Sequence, residues 1–196
     1  RVVWATSRVA CGDADGAVTG NTRRFGASLE KIKQVVDVRK GEIMYGLNMI
    51  VHKGKTIFIG DTTVHEYPTS EQMAEIAIST ARVVRLFGFD PKVAFVSHST
   101  FGQPLTSRTK HIRNAVEILK KKEVDFEFDG DMQPDVALNP EYEELYPFAK
   151  IVGKANILIM PGQHSAAISY KLMKTIGDTK VIGPLLIGLG LPIEIA

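Results

Sequence analysis

The C-terminal segment, residues 156–196, constrains the fold more than any other part of the chain. Residues 156–160 and 181–189 are apolar runs, each predicted to be a strand buried on both faces, and 165–176 between them has helical spacing. Strand, helix, strand is the repeating unit of open α/β sheets, because a parallel neighbour is reached only through a long crossover. The first strand runs into Pro161-Gly162-Gln163-His164-Ser165, a loop of small and hydrogen-bonding residues just ahead of the helix. Open α/β sheets meet their ligands at such loops, with free backbone N–H groups and hydroxyls.

Upstream, residues 2–5 read as a short strand and 17–19 as another extended piece. Residues 28–36 alternate apolar and charged side chains at helical spacing, with Leu29, Ile32, Val35 and Val36 on one side. Residues 44–51 and 56–59 flank His52-Lys53-Gly54-Lys55, a hairpin turn that makes the sheet mixed. Pro68-Thr69-Ser70-Glu71 opens the strongest helix, which runs to Phe87 and stops at Gly88. A strand at 92–97, a helix at 109–121, a short strand at 126–128 and an irregular helix at 134–145 follow. This order predicts an α/β fold, a three-layer α/β/α sandwich on a mixed, mainly parallel sheet.

At 196 residues the chain fits one domain or a fused pair of small lobes, and folding buries about 70% of its extended surface. Hydrophobic content of 44%, charged content of 23% and a net charge of +2 suit a soluble globular protein and point to neither nucleic acid nor membrane. Lys120-Lys121-Lys122 falls at a helix end, where cations complement the dipole. The long apolar run at 181–193 contains three glycines and two prolines and is too short to span a bilayer. A lone Cys11 forms no intrachain disulfide, which, with no visible targeting segment, favours the cytoplasm.

Five predicted post-strand loops share one chemistry: Gly20-Asn21-Thr22-Arg23-Arg24, Asp61-Thr62-Thr63, residues 97–102, Gly162-Gln163-His164-Ser165, and residues 188–194. Their hydroxyls, amides and backbone N–H groups suit phosphates and carbonyls, and arginine adds a bidentate clamp. The plainer alternative is that Ser, Thr, Asn, Asp and Gly simply make good turns. Among the histidines, His52 is expected to be exposed in the hairpin turn, and His98, alternating with Ser97 and Ser99, to point into the sheet packing. His65 and His164 sit in loops and His111 on a helix; His164, just ahead of a helix, is the best polar candidate for lining a site. Asp13 and Asp15 lack the other ligands of an EF-hand and read as a capping turn. No Walker motif, dinucleotide fingerprint, nucleophile elbow or His-Glu-x-x-His spacing is present.

The order of motifs resembles one family. Gly12-Asp13-Ala14-Asp15-Gly16 followed by Val18-Thr19-Gly20 resembles the GDADG-x-(V/L)-(S/T)-G segment of phosphate acetyltransferases. Phe58-Ile59-Gly60-Asp61-Thr62, the helix at 69–78 and the strand at 93–100 are similar to that family's consecutive segments, as are Phe128-Asp129-Gly130, Ala137-Leu138-Asn139-Pro140, residues 153–161 and 182–192. The resemblance implies the phosphotransacetylase/isocitrate dehydrogenase-like version of the sandwich. His164-Ser165-Ala166 after Met160-Pro161, Ser99-Thr100-Phe101-Gly102 and Asp129-Gly130-Asp131-Met132 resemble one branch, the C-terminal domain of large bacterial NAD(P)-dependent malic enzymes. That likeness implies a domain that senses acetyl-CoA or a related acyl-CoA, inhibits a fused oxidative decarboxylase and helps hold the oligomer together.

Departures from the transferases point the same way. After the equivalent of Pro161 those enzymes carry D-L-N-A-G-N, where this chain has Gly162-Gln163-His164-Ser165-Ala166-Ala167. After the equivalent of Ile193 they continue N-D-L-S-R-G, and the resemblance assigns to that Ser-Arg pair, with a nearby Asp, the orientation and deprotonation of the CoA thiol. Here Glu194-Ile195-Ala196 stand in place of N-D-L, so no residue of this sequence inherits the catalytic roles. Residues 1–7 resemble the first strand of the family's other lobe, and residues 1–196 are expected to be a single domain, a fragment lacking most of that lobe and the C-terminal helices. The ligand cleft is expected to draw on Thr19, Gly20, Asn21, Arg23, Ser99, Thr100, His164, Ser165 and the turn at Gly188, with Arg24 beside it. No cofactor or metal is expected within the domain, whereas the fused part would use NAD or NADP and a divalent metal. The apolar stripes and the tail at 185–191, with the dimeric relatives, imply a homodimer or higher homo-oligomer. The rival functions are an active phosphate acetyltransferase and a dimerisation module without ligand.

Overall fold

A computed structural model describes residues 1–196. In chain order the elements are α1 (Val2–Ala10), β1 (Ala17–Thr19), α2 (Phe25–Ile32), β2 (Tyr45–His52), β3 (Lys55–Gly60), α3 (Ser70–Leu86), β4 (Lys92–Val96) and α4 (Ser107–Lys122). There follow β5 (Glu127–Met132), α5 (Pro134–Leu138), a single 3-10 turn (Pro140–Tyr142), β6 (Ile157–Ile159), α6 (Gln163–Ile176), β7 (Thr179–Ile187) and β8 (Ile193–Ile195). No helix is long and apolar enough to cross a membrane.

The main sheet has six strands in the order β5-β4-β6-β3-β2-β7. β3, β4, β5 and β6 are parallel, whereas β2 is antiparallel to both β3 and β7. β7 therefore runs in the same direction as β6, and α6 is the crossover between them. Ile157, Leu158 and Ile159 of β6 are all buried because β3 and β4 flank them and helices cover both faces. One face packs Leu47, Phe58 and Phe95 against α3 and α4; the other packs Ile50, Ile59, Ala94 and Leu158 against α5 and α6. The expected three-layer sandwich is thus the observed architecture.

Sequence rules explain the strongest elements. Thr69 caps α3 in a capping box with Gln72, worth about 1 kcal/mol, and Met73, Ile76, Ala77, Thr80 and Val84 form its buried stripe. α4 has the same arrangement with Thr106 and Thr109 and ends in its three lysines, two of which pair with Glu117 and Glu75. A second, smaller core joins α1, α2, the parallel pair β1–β8 and the end of β7, with Val9, Ile32, Leu186, Leu189 and Ile193 buried inside it.

Four expectations need correction. Residues 2–5 belong to a helix, because Val2, Thr6 and Val9 bury one face at helical spacing and Thr6 Oγ1 bonds back to the Val2 carbonyl. The strand at 181–189 is not buried on both faces. β7 is an edge strand with Ile182 47% exposed, a position that accommodates Pro184 because its outward side needs no N–H donor. His52 is the last residue of β2 rather than a free turn residue, and its Nδ1 faces Thr179 Oγ1 at 3.0 Å and the Asp178 carbonyl at 3.1 Å. His98 is exposed while Ser97 and Ser99 are buried, because beyond the end of β4 at Val96 the two serines turn inward, with Ser97 Oγ accepting the Ser99 N–H, and the histidine between them faces out. The remaining differences are of length. The second helix occupies Phe25–Ile32 rather than 28–36, and β5 continues through Asp131, whose carboxylate finds partners inside the fold.

Candidate functional site

Because β3, β4, β6 and β7 run in one direction, four of the five polar loops leave the main sheet at the same edge. The fifth, at residues 20–24, follows β1 of the small sheet. The two groups are built very differently.

At the main edge the hub is Asp61, the residue after β3, whose side chain is 1% exposed. Its Oδ1 accepts the N–H groups of Gly46 (2.8 Å), Thr63 (2.9 Å) and Val64 (3.1 Å). Its Oδ2 accepts the N–H of His65 and faces His65 Nδ1, each at 2.7 Å. One carboxylate thereby folds the whole loop 61–65 around itself and pins it to β2. Alongside, Thr62 Oγ1 donates to Asn48 Oδ1 at 2.6 Å. Asn48 Nδ2 and Thr63 Oγ1 are buried without a partner in the chain, so this hub keeps spare polar capacity. Beneath it the Tyr45 hydroxyl accepts from Thr80 Oγ1 at 3.0 Å, and burial pushes its pKa up to about 12.

The hub is stitched to the loop between β6 and α6. The Gln163 N–H donates to the His65 carbonyl at 3.0 Å. A side chain at Gly162 would put its Cβ 2.3 Å from the Glu66 carbonyl oxygen, so only glycine allows this approach. His164 Nε2 lies 3.3 Å from Glu66 Oε1 with its ring 72% exposed, and Ser165 Oγ donates to the Gly162 carbonyl at 2.8 Å. No side chain caps α6. Its first turn presents free donors at the sheet edge, suited to an anion.

The loop after β4 has a different character. Ser99 is fully buried and its Oγ donates to Asp131 Oδ2, while Asp131 Oδ1 accepts the Gly102 N–H at 3.1 Å and lies 3.9 Å from Arg113 Nε. Thr100 is also buried, and its Oγ1 accepts the Gln133 N–H. These side chains hold the loop against β5 and expose little to a ligand. Where the lead into α3 meets the first turns of α4 and the end of β6 lies a cavity of 270 Å³ whose walls include Tyr67, Thr69, Ser107, Arg108, His111 and Pro161. The Arg108 guanidinium sits 5.3 Å above the Tyr67 ring. Both His111 nitrogens are engaged, by the Pro68 carbonyl at 2.8 Å and Ser70 Oγ at 3.1 Å.

In the small lobe Thr19, Gly20, Asn21 and Arg23 line a wide cavity of 790 Å³ together with Trp4 and Ala196. Asn21 has a positive φ of 59°, and its N–H donates to the Ala196 carbonyl. Gly188 is walled in, since a Cβ there would meet the Ile43 carbonyl oxygen at 2.1 Å. Asp13 pairs with Arg8 of α1 at 3.1 Å. No group of three or more His, Cys, Asp or Glu side chains is arranged to hold a metal ion. The structure therefore brings Thr19, Gly20, Asn21 and Arg23 together, and separately His164 and Ser165, while Ser99 and Thr100 are internal. Sequence reasoning missed Asp61 as an organiser, and His65, Tyr67, Arg108 and His111 as site residues. The available signals were the post-strand position of Asp61 and the i, i+4 spacing of Asp61 and His65.

Residues 1–196 match the family described as phosphate acetyl/butaryl transferase. An NADP-dependent malic enzyme of Rhizobium meliloti (strain 1021) is 45% identical over 193 residues, covering 98% of this chain and 25% of that protein. A phosphate acetyltransferase of Bacillus subtilis (strain 168) is 30% identical over 193 residues, covering 97% of this chain and 60% of that one. Among solved structures, a phosphotransacetylase from Streptococcus pyogenes superposes with a TM-score of 0.90 at 29% identity, covering 97% of this chain and 59% of its own. The chain thus spans about a quarter of the length of the malic enzymes it matches.

Proposed function

The chain belongs to the phosphate acetyl/butaryl transferase family, and from that premise we propose that it is the regulatory, acetyl-CoA-sensing and oligomerising domain of a malic enzyme. The observation that carries this reading is the 45% identity, across nearly the whole chain, to a malic enzyme of which it matches only 25%. In this reading the rest of the polypeptide oxidises and decarboxylates malate to pyruvate with NAD or NADP and a divalent metal, in the cytoplasm. The 196-residue part binds acetyl-CoA or a related acyl-CoA and pairs with another copy.

The site chemistry supports a sensor. In the first turn of α6 the Gln163 N–H is taken by the His65 carbonyl, the N–H groups of His164 and Ser165 have no side-chain cap, and the His164 ring reaches solvent beside them. An acyl-CoA offers a carbonyl, amides and phosphates, which match N–H, imidazole and hydroxyl groups. His164 and Ser165 at the main edge, and Thr19, Gly20, Asn21 and Arg23 in the small lobe, are the contacts assigned to it. Ser99, Thr100 and Gly188 are internal and act only by holding their loops in place. A second reading, an active phosphate acetyltransferase, is favoured by the 0.90 superposition on a phosphotransacetylase. Against it stands Glu194, where the transferases begin N-D-L: here its carboxylate accepts the Leu186 N–H at 2.9 Å and serves the strand β8.

Two assays on the intact protein separate these readings. Malate oxidation inhibited by acetyl-CoA, with background turnover of acetyl phosphate, is the expected result. Robust transfer of the acetyl group to CoA, abolished by a cleft substitution, would establish the transferase instead.

A further inference from the structure

We propose that the cavity on the outer edge of β5 is a binding site for an adenine nucleotide. β5 closes the main sheet at the end opposite β7 and the small lobe, so this site shares no residue with the contacts assigned to acetyl-CoA and does not rest on that reading.

The cavity has a volume of 560 Å³, within the range of about 300–1,000 Å³ usual for small-molecule sites. It lies between α4, the open edge of β5 and the turn at 146–150, and aromatic rings reach it from both faces of the sheet. Phe126 and Phe128 come from the face packed on α3 and α4. Phe101 comes from the opposite face, with the ring of Phe148 set edge-on to it at 4.9 Å. Phe148 is 70% exposed, a large apolar ring left at the rim. Phe101 is held at a φ of 49°, rare for a bulky residue, while its N–H donates to the Asp131 carbonyl at 2.7 Å. Strained positions of this kind gather at ligand sites. Flat rings converging on one cavity suit a planar base.

Charge defines the other end of the ligand. Three carboxylates line the cavity, and all are engaged within the chain. Glu117 pairs with Lys120 at 2.7 Å and Glu127 with Lys92 at 2.8 Å, while Asp129 accepts the N–H groups of Gly130 and Lys150. Two cations remain. The Lys150 ammonium makes no ion pair, and Arg113 approaches only Asp131, with Nε at 3.9 Å. That carboxylate already accepts from Ser99 and Gly102, so Arg113 keeps donors for a phosphate. β5 pairs with β4 alone, which leaves backbone N–H and carbonyl groups along its outer edge without ladder partners. Adenine, with its N6 donor beside a ring-nitrogen acceptor, matches such an edge. A free adenine nucleotide and the adenosine 3′,5′-bisphosphate end of a CoA share this chemistry.

Calorimetric titration of the intact protein with AMP, adenosine and adenosine 3′,5′-bisphosphate tests the site. AMP should bind at least about tenfold more tightly than adenosine, because its phosphate gains charge-assisted bonds. Phe148→Ala should weaken AMP at least about fivefold through lost stacking, and Lys150→Gln should weaken AMP but not adenosine. Both side chains are exposed, so the thermal midpoints should stay near that of wild type. Photolabelling with 8-azido-AMP should mark peptides containing Phe101, Phe128 or Phe148. Tighter binding of the bisphosphate than of AMP would support the site with a CoA end as its occupant; equal or weaker binding would support it with the free nucleotide. No saturation at millimolar AMP, adenosine as tight as AMP, AMP affinity unchanged in both variants, or label confined to other peptides would each overturn the proposal.

Discussion

The two polar regions of the molecule, the Asp61 hub with its stitched α6 loop and the Thr19–Arg23 stretch of the small lobe, differ in how they are held. The hub has a buried carboxylate with N–H donors from four residues and an imidazole, and a glycine contact too close for any side chain. The small-lobe stretch hangs on a few backbone bonds beside a 790 Å³ cavity. A preorganised loop loses little entropy on binding, whereas an open one supplies reach and charge at a larger ordering cost. In the proposed acyl-CoA site the hub would therefore be the specifying part and the small lobe the accommodating part.

Substituting the hub carboxylate should break this contrast most sharply. Asp61→Ala would leave the N–H groups of Gly46, Thr63, Val64 and His65 without their acceptor, and a loss of about 3–5 kcal/mol is expected by denaturant unfolding. Arg23→Ala, exposed and without an ion pair, should stay within about 0.5 kcal/mol of wild type. Equal losses in the two variants would erase the distinction.

Next in size is an alkaline effect below the hub. The folded pKa of Tyr45, about 12, lies above its ordinary value of 10.0. The native state therefore holds the phenolic proton more tightly than the unfolded chain, and this contribution is intact below pH 10 and lost as the pH rises towards 12. It amounts to about 2–3 kcal/mol. Stability curves of wild type and Tyr45→Phe from pH 8 to 11.5 should diverge only above pH 10, with wild type falling faster. Parallel curves would remove Tyr45 from the packed base of the site.

Ser99→Ala leaves Asp131 one donor short in a fully buried position, and about 1–3 kcal/mol of destabilisation is expected. Because Ser99 is internal, acetyl-CoA affinity measured well below the melting temperature should change less in this variant than in His164→Ala. The smallest effect belongs to the small lobe. Burial raises the pKa of Glu194, against the lowering effect of its bond from the Leu186 N–H, so its contribution is present at low pH and declines as the pH rises through the carboxylate range. The group is only half-buried, so Glu194→Gln should flatten that decline by a few tenths of a kcal/mol. Thermal midpoints at pH 4 and pH 7 measure the difference.

Much of the fold was legible because its elements are held by repeating patterns. The apolar stripe and Thr69 cap announced α3, the turn at residues 52–55 announced the β2–β3 hairpin, and the apolar run at 156–160 announced the central strand observed at Ile157–Ile159. Where the pattern was short, tertiary context decided. Val2, Thr6 and Val9 became a helix face against the small core, and residues 181–187 became part of an edge strand because β7 pairs with β2 alone and no strand covers its far side. The candidate site was legible only in part. The polar loops were visible and their exits partly predictable, but nothing local distinguishes a hub such as Asp61 from an ordinary turn aspartate. Its role depends on Gly46 and Gln163, residues far along the chain that folding brings alongside.

The most direct measurement is an acetyl-CoA titration of malate oxidation in the intact protein, comparing wild type with His164→Ala and with Lys55→Ala on the far hairpin. A regulatory site at the α6 loop requires inhibition in wild type, an unchanged response in Lys55→Ala, and at least a tenfold higher half-inhibitory concentration in His164→Ala. Inhibition identical in all three proteins would contradict the assignment of the sensing site to this edge of the sheet.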